Sequence, residues 1–329
     1  MNMAVISPVC SFHRFGFSFL SLFCALLLQS TTGRQLKFVL LVMQHGDRTP
    51  LDTYPTDPYK EDNWPQGFGQ LTTVGLQQHY QLGQLLKERY KLLLSEEYRR
   101  EEIYIRSTDT DENIMSAQAN LAGLFQPTEK QSWNKNIPWQ PVPVHTVPVK
   151  DDQKTHGYKL PEWVTTETLE QLEEMLKDRL TAIFGIHKRE EKSRLQGGVL
   201  VKDILKKIIK ATQCSRQAKM IMYSVYDVTL FALLMALNVF ETTLPRYAAC
   251  YFFELYEESK GQKISQLVSY LGCHKNSNYT IEMHYRDSHE KEQPTQVILP
   301  GCTVACPLKT FKRLVSPIIP NNWEEECNK

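Results

Sequence analysis

The sequence predicts an α/β fold, with a largely parallel sheet and helices on both faces, and three observations carry that prediction. Residues 36–43, LKFVLLVM, and 219–224, KMIMYS, are unbroken apolar runs bounded by polar residues, the pattern of strands buried on both faces. Between such runs, apolar residues recur at helical spacing. The two kinds of segment alternate along the chain, which favours parallel strands joined by helices.

In order, the first strand is followed by an amphipathic segment from about Thr72 to Leu94, with Leu82, Leu85, Leu86 and Tyr90 on one face. IYIR at 103–106 reads as a second buried strand, leading into a helix through Ala117 and Ala119 to Leu124. Leu169, Leu172 and Leu176 mark another helix, whose acids Glu170, Glu173 and Glu174 form a solvated face. Gly197 and Gly198 precede a helix that turns Ile204, Leu205, Ile208 and Ile209 inward and Lys206, Lys207 and Lys210 outward. The third strand, 219–224, ends before Asp227, which opens the apolar helix DVTLFALLMALN. Strands near 249–256 and 279–285 complete the set.

The chain has 329 residues and a net charge of +1, a near-neutral balance that gives no support for nucleic-acid binding and leaves room for a local basic pocket. Residues 15–28, FGFSFLSLFCALLL, follow Arg14 and precede QSTTG, the layout of a secretory leader over 1–33 cut between Ser30 and Gly33. A signal anchor is the alternative, but the run is short for a membrane span. No second run of spanning length follows, so the mature chain is expected to have no stable membrane span. Cys214, Cys250, Cys273, Cys302, Cys306 and Cys327 remain after the leader, an even number suited to an oxidising compartment. Cys302 and Cys306 can close a small loop. Zinc is the rival reading, and the absence of a neighbouring histidine favours the disulfide. Asn278-Tyr-Thr is a sequon for N-glycosylation.

In such folds ligands bind beyond the carboxyl ends of the strands. Three strand ends carry polar chemistry: Gln44 to Arg48, Arg106 to Asp111, and Tyr226 with Asp227. Arginine presents a planar fork of donors to phosphate oxygens, so Arg48 and Arg106 suit a phosphorylated ligand. Gly46 admits close backbone approach, His45 can attack phosphorus as a nucleophile, and Asp227 can protonate a leaving oxygen. Each residue also has a plainer reading. His45-Gly46 can be a turn, Asp227 a helix cap, and Arg106 the partner of Asp109 or Asp111.

HGDRTP at 45–50, WPQGFGQLT at 64–72, YIRSTDTD at 104–111, WQPVPVHTVP at 139–148, EKSRLQGGVLV at 191–201, MYSVYD at 222–227 and PGCTVACPL at 300–308 closely resemble the histidine acid phosphatases, over nearly the whole mature chain. The resemblance implies a three-layer fold of the phosphoglycerate-mutase kind and hydrolysis of phosphomonoesters at acidic pH. In it His45 is the nucleophile, Asp227 the proton donor, and Arg48 and Arg106 substrate-binding residues. It implies no metal and no cofactor, a secreted or lysosomal location, and a homodimer as one oligomer open to the chain.

The chain departs from the family at several points. Gln44 stands where the family has its first phosphate-binding arginine, and Tyr226 replaces the histidine of the His-Asp pair. Glu112 and Asn113 stand where relatives usually have Arg-Thr. Between VPVKDDQ at 147–153 and KTHGYKLPEW at 154–163, relatives carry a long, mostly helical segment that this chain lacks. The expected organisation is therefore an α/β domain over 34–329 with a truncated helical cap around 151–190. Cys250 and Cys327 match family half-cystines whose partners lie in the missing segment. Each charge-assisted bond lost costs about 1.5–3 kcal/mol. Strongly impaired catalysis is therefore expected, leaving binding of phosphorylated ligands or partners; a slower working phosphatase is the alternative.

Overall fold

The computed structural model describes residues 33–147, 188–213, 218–240, 245–258, 278–287 and 293–327. The expected leader (Gly33 apart), the helix around Leu169 to Leu176, most of the cap region, Cys214 and Cys273 lie outside the described residues.

Strand β1 (Arg34–Gln44) is followed by helix α1 (Thr73–Arg89), β2 (Ile103–Thr108), α2 (Asp111–Leu124) and β3 (His145–Val147). Next come α3 (Arg189–Leu195), α4 (Gly197–Ala211), β4 (Met220–Val225) and α5 (Asp227–Leu237). Strands β5 (Cys250–Glu258), β6 (Asn278–Arg286), β7 (Thr295–Val297) and β8 (Cys306–Pro307) lead to α6 (Leu308–Val315) and α7 (Trp323–Cys327).

The sheet runs in the order β3-β2-β4-β1-β5-β6-β7, with β8 also paired to β6. From β3 to β1 all pairings are parallel, as the alternating pattern predicts. Beyond β1 the sheet turns antiparallel through β5, β6 and β7, so the whole is mixed.

Side chains alternate across β1. Val39, Leu41 and Met43 pack towards α1 and α2, against Leu82, Leu86, Ala117 and Leu121. Phe38, Leu40 and Val42 pack towards α4, α5 and α6, against Ile204, Leu233 and Phe311. These two cores make the three layers. Each fully buried Leu, Ile or Phe stabilises the fold by roughly 1.5–3 kcal/mol.

Two local expectations are corrected. Helix α1 stops at Arg89, short of Leu94, with Tyr90 as its C-cap and Leu92 fully in solvent. Gly197 and Gly198 do not precede a helix; they are its first turn. A Cβ at Gly197 would overlap the carbonyl of Ala232 in α5, and one at Gly198 that of Ile318, so glycine is required by packing there. Cys302 and Cys306 are joined as a disulfide, with Cα atoms 5.6 Å apart, which removes the zinc reading. Cys250 is buried and Cys327 exposed, both as free thiols. Among the described residues no helix is long and apolar enough to cross a membrane.

Candidate functional site

The register brings the three polar strand ends into one row. Gln44 of β1 lies opposite Val225 of β4, and Ser107 of β2 opposite Ser224 of β4. His45, Thr108 and Tyr226 are the next residues beyond or at those ends, on three adjacent strands. His45 continues the alternation of Val39, Leu41 and Met43, on the side of α1 and α2.

The backbone after β1 is held from several directions by neutral groups. Gly46 N donates to Ser116 Oγ of α2 at 3.0 Å, and Asp47 N to Gln78 Oε1 of α1 at 2.8 Å. Thr72 N donates to Asp47 O at 2.9 Å, and Ala248 N to His45 O at 2.9 Å. Thr72 also caps α1, its Oγ1 accepting from Gly75 N at 3.1 Å. Gly46 is pressed against this first turn so closely that an added Cβ would lie 2.5 Å from Gly75 O.

His79, fully buried on α1, donates from Nε2 to Gln44 O at 2.9 Å. Burial lowers its pKa to about 3, against an ordinary 6.5. The unfolded chain therefore takes up a proton at this position below pH 6.5 while the folded chain does not. Stability falls as pH drops below 6.5 and continues to fall towards 3, with a loss of about 2 kcal/mol by pH 5. Denaturant titrations from pH 7.5 to 5 should show this slope in the native chain and a shallower one in His79→Gln. An unchanged slope would contradict the assignment.

His45 itself is 2% exposed. Its Nδ1 lies 2.8 Å from Gly46 O, and a carbonyl can only accept, so Nδ1 carries the hydrogen and Nε2 keeps its lone pair. Burial lowers the pKa of the imidazole, the Gly46 carbonyl raises it, Arg48 lowers it, and Asp227 and Glu112 raise it; the net direction is down. The shift favours the neutral imidazole, and its nucleophilic nitrogen makes no hydrogen bond among the described residues. The ring of Tyr247 lies 5.8 Å away.

The remaining predicted residues are placed as follows. Arg48 donates from one terminal nitrogen to Thr49 O at 3.0 Å, and its Nε is buried without a partner. Asp227 is exposed at the first position of α5, after the N-cap residue Tyr226, and accepts from Val228 N at 2.7 Å. Its charge is felt at His45, so its role as a helix-end acid does not remove it from the site. Arg106 is exposed on β2 and pairs with neither Asp109 nor Asp111; Asp111 accepts from Gln70 instead. The charge of Arg106 is felt at Tyr223. Gln44 is 3% exposed, and its amide faces Pro245 O and Arg246 O; assigned to suit these two acceptors, its nitrogen donates to them at 3.2 and 3.0 Å. It ties down the 245–248 turn.

The sequence singled out Glu112 and Asn113 only as departures from the family pattern, and Ser116 and Asn120 not at all. Glu112, Asn113, Ser116 and Asn120 form a buried polar seam on α2, where periodicity alone leads one to expect apolar side chains. Ser116 holds Gly46, Asn120 donates to His79 O at 3.3 Å, and Ser224 Oγ donates to Asn113 O at 2.9 Å. The spacing of Ser116 and Asn120, one turn apart, was the signal available. A second polar group, Glu254, Glu282 and His284, brings its ligand atoms within 4.8 Å of one another. Arg89 and Arg34 already pair with the two glutamates, which leaves little charge for a metal ion. A cavity of about 310 Å³ lined by Lys87, Tyr90, Leu94, Leu124 and Phe125 lies at the far ends of α1 and α2, away from His45.

Comparison with known proteins bears on this arrangement. The model of the histidine phosphatase superfamily (branch 2) matches residues 35–158 and 153–286. Prostatic acid phosphatase of Homo sapiens is 40% identical over 376 residues, covering 95% of this chain and 92% of the relative. Lysosomal acid phosphatase of Rattus norvegicus is 38% identical over 367 residues, covering 92% of this chain and 83% of the relative. Among solved structures, the phytase of Hafnia alvei in complex with tartrate superposes with a TM-score of 0.58 at 13% identity, over 88% of this chain and 98% of that one. The phytase of Citrobacter braakii gives 0.58 at 14% identity, over 90% and 99%. At these identities the phytases speak for the fold alone.

Proposed function

Because the chain belongs to the histidine phosphatase superfamily (branch 2), we propose that it binds phosphate esters at the His45 loop and hydrolyses them through a phosphohistidine at a strongly reduced rate. One observation carries this reading. The nucleophilic nitrogen of His45 makes no hydrogen bond among the described residues, while the charges that act on the ring are one arginine and two carboxylates.

In the proposed reaction the Nε2 lone pair attacks phosphorus, the bond to the ester oxygen breaks, and Asp227 gives that oxygen its proton. Water then cleaves the phosphorus–nitrogen bond and releases phosphate. Arg48, assisted by the long side chain of Arg106, offsets the charge that develops on the phosphoryl oxygens. Gln44 spends its donors on the 245–248 turn, so it offers little to that charge. Glu112 opposes it. The outcome is a site competent in geometry and poor in field.

The alignment with the human relative runs over 376 positions, more than the 329 residues of this chain, so the relative has residues that face gaps here. This supports a reduced helical cap over 151–190 and a wetter pocket, which weakens the field further. The names of the relatives, prostatic and lysosomal acid phosphatase, support passage through the secretory pathway. The exposed Asn278 at the start of β6 suits glycosylation there.

The test is hydrolysis of an aryl phosphate at pH 5 by the wild type beside His45→Ala, with titration of inorganic phosphate into both. Slow turnover that falls about hundredfold or more in His45→Ala is expected. Phosphate affinity should survive that change and weaken about tenfold in Arg48→Ala. Equal rates with retained phosphate binding would end the hydrolytic part and leave a phosphate-ester receptor. Fast turnover, comparable to a working phosphatase, would favour the unimpaired reading.

A further inference from the structure

We infer that the His45 pocket selects a phosphate ester bearing a cationic group close to the phosphorus, with Glu112 receiving the cation and Arg48 the phosphate. The inference rests on the His45 loop being a phosphate-ester site, as proposed above.

Glu112 is 6% exposed, yet among the described residues it makes no hydrogen bond and no ion pair. Its place is fixed by the helix it sits on. Ser116, which accepts from Gly46 N at 3.0 Å, lies four residues further along α2, so Glu112 stands one turn above it on the same face, towards the strand ends. There its charge reaches the imidazole of His45, as does that of Arg48. Arg48 is half-buried, and its Nε has no partner.

A half-buried cation and a largely buried glutamate thus act on the same nucleophile without pairing with each other. The Glu112 carboxylate, unpaired beside the phosphate position, repels an anionic ligand, and the N-terminus of α2 offsets only part of that repulsion. A simple phosphate dianion answers Arg48 but adds repulsion at Glu112. An ester carrying an ammonium group answers both.

The discriminating pair of ligands is O-phosphoethanolamine and n-propyl phosphate, which differ by an ammonium in place of a methyl group. Titrated calorimetrically into the full chain at low salt, O-phosphoethanolamine should bind about tenfold more tightly. Glu112→Gln should abolish the preference while leaving n-propyl phosphate bound at least as well, and Glu112→Asp should retain part of it. Equal affinities in the wild type, or a preference that survives Glu112→Gln in folded protein, would overturn the inference while the phosphate site stands. Binding of neither ligand would overturn the phosphate-ester reading, and this inference with it.

Discussion

Combining Gln44→Arg, Glu112→Arg and Tyr226→His should raise kcat/KM for a simple phosphomonoester by about a thousandfold or more. Two of these changes add positive charge beside a nucleophile that is already in place, and the third restores an imidazole next to Asp227. Each charge-assisted contact regained is worth about 1.5–3 kcal/mol. The sum is not additive, because all three act on the same phosphoryl oxygens. Glu112→Arg is the most informative single member, since it removes an opposing charge as well as adding a favourable one. Gln44→Arg must also surrender the hydrogen bonds to Pro245 O and Arg246 O, so alone it should give less. The check is steady-state kinetics of the singles and the triple, with melting curves to show that each is folded. A folded triple variant with an unchanged rate would move the deficit from these three side chains to the reduced cap.

Glu254→Ala should cost about 3–5 kcal/mol of stability, the largest loss expected from a single side chain outside the apolar cores. Glu254 is 1% exposed in β5, opposite Val39 of β1. It accepts from Arg89 Nε at 2.7 Å, Tyr90 OH at 2.7 Å and Tyr256 OH at 2.8 Å. It thereby fastens the last turn of α1 to the sheet. Removing it strands a guanidinium and a buried phenol together. Burial works to raise the pKa of Glu254, but the Arg89 bond and charge outweigh it and the net direction is down. Its contribution is therefore present above the ordinary glutamate range and is lost only as pH falls through the lower folded value. In a denaturant series, the penalty of Glu254→Ala should be constant from pH 7 to 5 and shrink in stronger acid. A loss below about 1 kcal/mol at pH 7 would show that the network relaxes around the gap.

How much of this was legible in the sequence depends on what each residue's neighbours had to say. Strands β1 and β4 were legible because both faces are covered over 38–43 and 220–223, so those positions are apolar whichever side they point to. Strands β5 and β6 were legible as strands, but not as antiparallel ones, because direction is set by the connecting chain and not by the strand's own side chains. The polar seam on α2 was hidden by the same logic in reverse. Ser116 and Asn120 look like solvent positions until Gly46 and His79 are seen to need them. At the site, His45, Arg48 and Asp227 could be named in advance from the sequence, and the charges of Arg48 and Asp227 are felt at the His45 ring. Arg106 was grouped with them, although its charge is felt at Tyr223 and is not among those that act on His45. The direction of the Gln44 amide could not be read at all, since a glutamine in a motif does not say which carbonyls it will find.

The hydrogen bonds that hold residues 44–49 have a consequence for how such a protein can change over generations. Ser116, Gln78, Ala248, the Thr72 amide and His79 fix the path of the loop, and none of them carries a charge at the pH of any cellular compartment. Of the groups that would act on a ligand, Glu112 and Asp227 are not among those braces, and Arg48 contributes only its bond to Thr49 O. Shape and charge are inherited separately. A lineage can exchange its reactive side chains one at a time without passing through an unfolded ancestor, and a once-catalytic cleft can be turned to a new ligand while its frame stays as it was.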